Sequence, residues 1–361
     1  MPVAVLAEEI ETPGDGQIRG MVTIAGNPVL STPNGARLDA AFATLEFMVS
    51  VDIYLNETTR HADVILPSPS ALQKPHYDLS LLQLALRNVA NWSEPVLPLD
   101  DGQPDEWEVL AKLALIIAGM PAVDADPSIA DDAGYAALAE KAPEDVVAAI
   151  DKTGRRGPAR IVDLMLRTGP YDVTLDDLLD NPHGIDFGAL APRIPEALRT
   201  PSGKVELAPE EVMADLPRLE AAMTEGVDPE RPFLLVGRRH LKSNNSWMHN
   251  IPVLLKSSKH RCTMQLHPDD AARLGLSEGA PAVVTSRVGQ VTVPVEITDG
   301  IRPGVVSIPH GWGHGDPNVK LRVAQEHAGV NSNILTDELG VDPISGNSIL
   351  NGIPVSVAAA N

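Results

Sequence analysis

The densest group of side chains able to hold an anion or a polar heterocycle is Gly237-Arg238-Arg239-His240, followed two residues later by Ser243-Asn244-Asn245-Ser246-Trp247. Guanidinium forks pair with phosphate oxygens, while Ser and Asn offer neutral donors and acceptors to ring nitrogens and oxygens. The run directly follows the apolar residues 233–236, and core packing has no use for so many polar groups there. It reads as a binding loop anchored on a strand.

Two further groups lie near the start of the sequence. The apolar run 21–25 stops at Gly26-Asn27-Pro28. Glycine there permits close backbone approach, and Asn and Pro shape a turn whose amides can face a phosphate or a ring; the same residues also make an ordinary turn. Val51-Asp52 ends the next β-rich run. A carboxylate at that point can accept from guanine N–H groups or ribose hydroxyls, or simply cap a turn. Glu57-Thr58 reads as a capping pair.

The stretch His310-Gly311-Trp312-Gly313-His314-Gly315-Asp316 contains zinc-ligand types, but no two of them share a regular element and no Cys accompanies them. A cofactor-facing or structural loop is expected there rather than a zinc site. Asn331-Ser332-Asn333-Ile334-Leu335-Thr336 is another polar loop that runs into apolar residues. The single cysteine, Cys262, sits in an apolar context and reads as a small buried side chain. One thiol forms no internal disulfide and cannot hold an iron–sulfur cluster, so a reducing, cytoplasmic compartment is expected. Nucleophile elbows, phosphate-binding glycine loops and His-Glu-x-x-His are all missing, which disfavours a self-contained hydrolase.

Composition narrows the partners. The 361 residues carry a net charge of -21, which makes nucleic acid and anionic lipid poor partners. Aromatic residues make up only 3%, so the cores must rest on Leu, Val, Ile and Ala. No run of about 18 apolar residues marks a membrane span. Residues 1–10 are acidic and have no basic n-region, unlike a signal peptide.

These groups need elements to position them. Residues 1–70 read as α/β: an apolar strand at 21–25, a helix near 37–47, then β-rich runs at 48–53 and 62–66. That order is a βαβ unit, which favours a parallel sheet with ligands at the strand C-termini. Residues 71–229 read as mixed and more helical, with helices at 106–117, 136–150 and 159–166. Residues 124–132 are expected to be a loop, and 170–209 to wrap over the surface. From 230 to 361 the character changes to β-rich runs at 233–236, 282–286, 290–297 and 304–308, with a short helix at 268–274 capped by Gly275. Many short strands with interleaved turns suggest a closed barrel.

In their shared order, GNPVLSTPNG, VDIYLNETTRHADVILP, TPSGKVELAP, GRRHLKSNNSW, LHPDDAARLGLSEGAPAVVTSRVGQVTVPV and NSNILTDELGVDPISG resemble the C-terminal portion of the molybdopterin oxidoreductases of the dimethyl sulfoxide reductase and formate dehydrogenase superfamily. Residues near 120–195 take no part in the resemblance. It implies partial α/β dinucleotide-binding domains followed by a C-terminal six-stranded double-psi β-barrel, with 1–70 ending one α/β domain, 71–229 connecting, and 230–361 forming the barrel. The implied cofactor is molybdopterin guanine dinucleotide as bis-MGD with molybdenum. By resemblance, Gly26, Asn27 and Pro28 lie beside one guanine dinucleotide and Val51 and Asp52 recognise guanosine. Lys74 and Asp105 meet the nucleotide, the loop Gly237, Arg238, Arg239, His240, Ser243, Asn244 and Asn245 runs along the pterins, and Asn333 bonds a pterin. Asn351 stands where some relatives have a Lys ligand. The family's cluster-binding cysteines and molybdenum ligand belong to an N-terminal half that has no counterpart in this sequence. The expected function is therefore the cofactor-binding portion of a molybdopterin-dependent oxidoreductase, inactive alone and completed by a separately encoded half or redox subunit. The alternative is a non-catalytic molybdopterin-binding or partner-docking module.

Overall fold

The computed structural model describes residues 2–241, 243–255 and 261–360. The chain divides into two compact units, Met1–Pro67 with Glu206–Asn361, and Ser68–Val205.

In the first unit, β1 (Gly20–Ile24), β2 (Phe47–Val51) and β3 (Val64–Leu66) pair in parallel in that order, with Ile24 opposite Val51 and Val51 opposite Leu66. The three strands therefore end at one level, where the turns after β1 and β2 emerge. Helix Gly35–Phe42 connects β1 to β2 and buries Leu38, Ala41 and Phe42 with Ala7 and Ile10. Asn34 caps its start, accepting from Arg37 N at 3.3 Å, and its first residue is Gly35 because a Cβ there would lie 2.2 Å from the Val29 carbonyl oxygen. It ends five residues earlier than the apolar spacing suggests. The amides of Thr44 and Leu45 turn back to Ala41 and Phe42, the Thr44 hydroxyl also donates to Ala41 O, and Phe47 is drawn into β2 opposite Gly20.

The second unit packs helices Glu106–Ile117, Pro127–Ala139, Glu144–Asp151, Gly157–Arg167 and Leu175–Asp180 with an antiparallel pair, β4 (Arg87–Ala90) and β5 (Ile185–Ala189). Here the sequence reading departs most from the structure. Residues 124–132 are not a loop: Asp126 accepts from Ser128 N at 2.9 Å and caps a helix that starts at Pro127. The single helix expected over 136–150 is two, because Pro143 cannot donate within a helix and starts the second one instead. Part of 170–209 is core: Val173, Leu175 and Leu178 are buried with Trp92, Val162 and Leu166. Thr174 and Asp177 form the capping box that fixes this short helix.

The remaining strands are β6 (Phe233–Arg238), β7 (Met264–Leu266), β8 (Pro281–Thr285), β9 (Gln290–Ile297), β10 (Val305–Pro309) and β11 (Ile353–Ala359). They close into a mixed barrel of order β10-β6-β11-β8-β9-β7, with β10 parallel to β6 and β7 parallel to β9. Closure leaves none of these strands as an open edge. Period-2 alternation turns Val291, Val293 and Val295 of β9 inward, together with Ala282 and Val284 of β8 and Val355 of β11. Phe233 is the one aromatic side chain in that core cluster, so the packing is aliphatic, as the composition requires. Helix Pro268–Leu274 ends at Gly275 in the left-handed conformation, φ 67°. Among the described residues, no helix is long and apolar enough to cross a membrane.

Candidate functional site

The polar run leaves β6 at its end. Gly237 N donates to Asn351 Oδ1 at 2.8 Å, which ties the strand to the loop before β11. The neighbouring arginines then part. Arg238 turns into the barrel wall, donating from Nη1 to Ser307 O at 2.5 Å and from Nη2 to Thr263 O and Oγ1, both at 2.8 Å. Burial lowers its pKa, against the opposing charge of Glu296. Arg239 stays outside and donates from Nη1 to Asn245 Oδ1 at 3.0 Å.

The loop then doubles back. Asn244 and Asn245 take positive φ values of 38° and 59°, which Asn tolerates better than most residues. Ser243 is buried, its hydroxyl donating to His240 O at 2.9 Å. Gly311, at φ 85°, lies beneath this turn, and a Cβ there would fall 1.8 Å from Asn245 O. The two loops therefore touch backbone to backbone. His310 Nε2 reaches Asn245 Oδ1 at 3.3 Å, and burial with the charge of Arg239 lowers the His310 pKa. His240 is lowered by burial and by Arg238 and Arg261.

These loops form one side of a cleft of about 320 Å³. Gly237, Arg239, Asn245 and His310 line that side; Leu30 and Ser31 line another, with Ser332, Asn333 and Thr336 between them. Asn333 is buried and donates from Nδ2 to Leu30 O at 2.7 Å, holding the single helical turn Pro28–Ser31 against the barrel loop. A second cleft, about 340 Å³, lies where Arg238, Arg239, His240 and Arg261 gather beside Thr263, Gln265 and Glu296. The cationic groups stand together locally in a strongly acidic chain.

The turn after β1 sits behind the first cleft. Ala25 takes φ 50° and its amide donates to Val51 O, so the chain swings across the ends of β1 and β2. Asn27 precedes the helical turn, and its side-chain amide is held at both ends. Nδ2 donates to Glu57 Oε2 at 2.8 Å, and Oδ1 accepts from Thr58 Oγ1 at 2.8 Å. Glu57 Oε1 lies 3.0 Å from His314 Nδ1. Burial pushes the Glu57 carboxyl up, but the hydrogen bond and charge of His314 with the Asn27 amide outweigh it and hold the carboxyl below its ordinary range. Sequence reasoning took Glu57 for a cap and missed this role. The signal was its place just past the C-terminal end of a parallel strand.

The other expected site residues fall as follows. Val51 is buried at the end of β2, and the Asp52 carboxylate accepts from Tyr54 N at 2.9 Å and Asn56 Nδ2 at 3.2 Å, so it shapes its own turn. Lys74 and Asp105 belong to the Ser68–Val205 unit. There Asp105 caps helix Glu106–Ile117, and Lys74 Nζ pairs with Glu106 Oε2 at 2.9 Å. Burial raises the Asp105 carboxyl. His310 and His314 face different partners, Asn245 and Glu57. Among the described residues, no group of three or more His, Cys, Asp or Glu could hold a metal. Cys262 is fully buried, its sulfur accepting from Val330 N at 3.3 Å, and burial pushes its thiol up.

A closed barrel thus stands beside a parallel-sheet turn, and Arg239, Asn245 and Asn333 bring a guanidinium and neutral donors and acceptors to the cleft that both line. Comparison with known proteins places this arrangement in context. Residues 233–354 match the Molydopterin dinucleotide binding domain. The chain is 25% identical over 310 residues to the alpha subunit of a formate dehydrogenase from Methanocaldococcus jannaschii, covering 85% of this chain and 40% of that protein. It is 23% identical over 341 residues to the molybdopterin-containing subunit of an arsenate respiratory reductase from a Shewanella species, covering 82% of this chain and 39% of that one. Among solved structures, acetylene hydratase from Pelobacter acetylenicus superimposes on 99% of this chain with a TM-score of 0.67 at 18% identity, using 46% of its own length. Residues 233–354 thus match a molydopterin dinucleotide binding domain, and over most of its length the chain is similar to part of these molybdopterin-family subunits. It spans about two-fifths of the length of these curated relatives.

Proposed function

We propose that this chain holds the dinucleotide cofactor of a molybdopterin-dependent oxidoreductase acting on a formate-, nitrate- or sulfoxide-like substrate, with the cofactor present as bis-MGD. In this reading residues 1–70 end one α/β cofactor domain, 71–229 connect, and 230–361 cap the pterins. The observation that carries it is the cleft between Leu30–Ser31 and the β6 loop. Its volume is about that of one bicyclic ring system with its attached phosphate, at the low end of small-molecule sites. Its walls mix donors and acceptors, as a pterin edge requires, and Arg239 supplies a cation for the phosphate.

Within that cleft Asn245, Asn333 and Gly237 orient the ring, and Arg239 neutralises a phosphate oxygen. Arg238 acts as a strut under the loop, with its fork already bound. Gly26, Asn27, Pro28, Val51 and Asp52 complete the nucleotide's surroundings. Molybdenum, when bound by the pterins, supplies the redox chemistry. The molybdenum's protein ligand, any iron–sulfur cluster and the electron-transfer partner lie outside this chain, and the complete enzyme works in the cytoplasm.

Two measurements on the purified chain test this. Incubated anaerobically with cofactor freshly released from a molybdopterin enzyme, it should retain pterin through gel filtration. In a viologen-linked assay with formate, nitrate and sulfoxides it should stay at background. Failure to retain pterin, or robust turnover by the chain alone, would contradict the proposal.

A further inference from the structure

Glu57 is 4% exposed, yet each of its carboxylate oxygens reaches a different segment of the chain. Oε2 accepts from Asn27, the residue ahead of the turn Pro28–Ser31, and Oε1 faces His314, beyond β10. A buried carboxylate is costly unless it is paired and hydrogen-bonded, and Glu57 meets both conditions only while both segments stay in place.

The two segments both run into the lining of the cleft. Leu30 and Ser31 follow Asn27 by a single turn, and their amides bond back to Asn27 O at 3.1 Å. His310 and Gly311 lie just before His314, and buried Trp312 stands between them and it. Other ties join the same regions: Arg60 Nε lies 3.0 Å from Asp316 Oδ2, and Lys320 N donates to Leu55 O at 2.8 Å. Neither of them reaches Asn27. Thr58 grips Asn27 but belongs to the Glu57 side of the junction.

We propose that Glu57 is a positioning residue for the cofactor cleft: by bonding Asn27 and His314 together it makes the helical turn 28–31 and the loop 310–314 one body and so fixes the spacing between them. This rests on the reading of the cleft as the pterin dinucleotide site. The carboxylate contributes shape, and nothing in its role requires contact with the cofactor.

The test is amide hydrogen exchange on the full chain at pH 8, comparing wild type, Glu57→Ala, Glu57→Gln, His314→Ala and the Glu57→Ala/His314→Ala double variant. Peptides from 281–297 report on the barrel as a fold control. Glu57→Ala should speed exchange roughly tenfold in both 27–31 and 310–314, the effect of losing about 1.4 kcal/mol of local stability. His314→Ala should speed exchange at 27–31, although His314 bonds none of those residues, and the double variant should add little to Glu57→Ala. Glu57→Gln should restore protection, because its amide oxygen can accept from Asn27 while its amide nitrogen can bond the His314 ring. If Glu57→Ala unfolds, His314→Ala and Glu57→Gln still decide. Unchanged exchange at 27–31 in His314→Ala, or Gln behaving like an unlinked variant, overturns the proposal.

A second arm uses GDP, which carries the guanosine and pyrophosphate of the expected cofactor, measured by calorimetry. Glu57→Ala, or His314→Ala in its place, should weaken GDP binding several-fold and Glu57→Gln should not. Equal GDP affinity in every variant, despite linked exchange, would overturn the role in the cleft. Wild type that binds no GDP, with the exchange pattern as expected, would sink the cofactor reading while leaving the linkage established.

Discussion

The Arg238 guanidinium is bound into the barrel wall by Thr263, whose carbonyl and hydroxyl oxygens both accept from Nη2 at 2.8 Å. Its neighbour Arg239 bonds across the loop surface to Asn245. Two adjacent arginines of the same motif therefore do separate work. Arg238→Ala should lower the stability of the unit by about 1.5–3 kcal/mol, because buried acceptors on Thr263 and Ser307 lose a charged donor. Arg239→Ala should stay within about 0.5 kcal/mol of wild type. Urea unfolding separates them; equal destabilisation would contradict the division of roles.

His249 offers a pH test. It is buried against Trp312, ring centroids 4.2 Å apart, and burial, reinforced by His314, lowers its pKa to about 4. An unfolded histidine titrates near ~6.5. Between these values the unfolded chain takes up a proton that the folded chain refuses. Stability is therefore complete above pH ~6.5 and is lost as pH falls toward 4, by about 1.4 kcal/mol per pH unit. His249→Phe keeps the ring packing and removes the titration, so its stability should fall less over that window. Parallel curves for the two proteins would contradict the assignment.

Gly311→Ala should disrupt the site without unfolding the barrel. The new methyl would meet Asn245 O at 1.8 Å, in a backbone conformation of φ 85° that L-residues rarely adopt. Strain and overlap together should cost about 2–4 kcal/mol. The expected result is loss of pterin retention with intact far-ultraviolet dichroism. Retention equal to wild type would show that the loop contact is dispensable.

Four of the six barrel strands and the βαβ start were legible in the sequence because their signals are local; β7 and β11 were not read as strands. Gln290–Ile297 alternates cleanly, Gly275 stops its helix, and Gly26-Asn27-Pro28 breaks a strand. What escaped depends on pairings far apart in sequence. Nothing near Glu57 announces His314, and nothing near Arg238 says that its fork is taken by Thr263 and Ser307 while Arg239 turns to Asn245. The helix Leu175–Asp180 is too short to show periodicity, and its burial comes from Trp92 and Val162, which lie on other elements.

Asp52→Asn separates a structural carboxylate from a recognition one. An Asn side chain can still accept from Tyr54 N, so the turn should survive and stability should change by less than about 1 kcal/mol. If the carboxylate also accepts from guanine, its loss should weaken GDP binding roughly tenfold or more. Unchanged GDP affinity would confine Asp52 to shaping its turn.

The most direct measurement is pterin content after anaerobic reconstitution, read as fluorescence of the oxidised pterin, for wild type, Arg239→Ala, Asn245→Ala and Asn333→Ala. Exposed Arg193→Ala, in the Ser68–Val205 unit, serves as the control. Loss of one charge-assisted contact corresponds to about 1.5–3 kcal/mol. The expected result is pterin in wild type and the control, with a fall of roughly tenfold or more in Arg239→Ala and a smaller fall in the two Asn variants. Equal pterin in all five proteins would contradict the assignment of this cleft as the cofactor site.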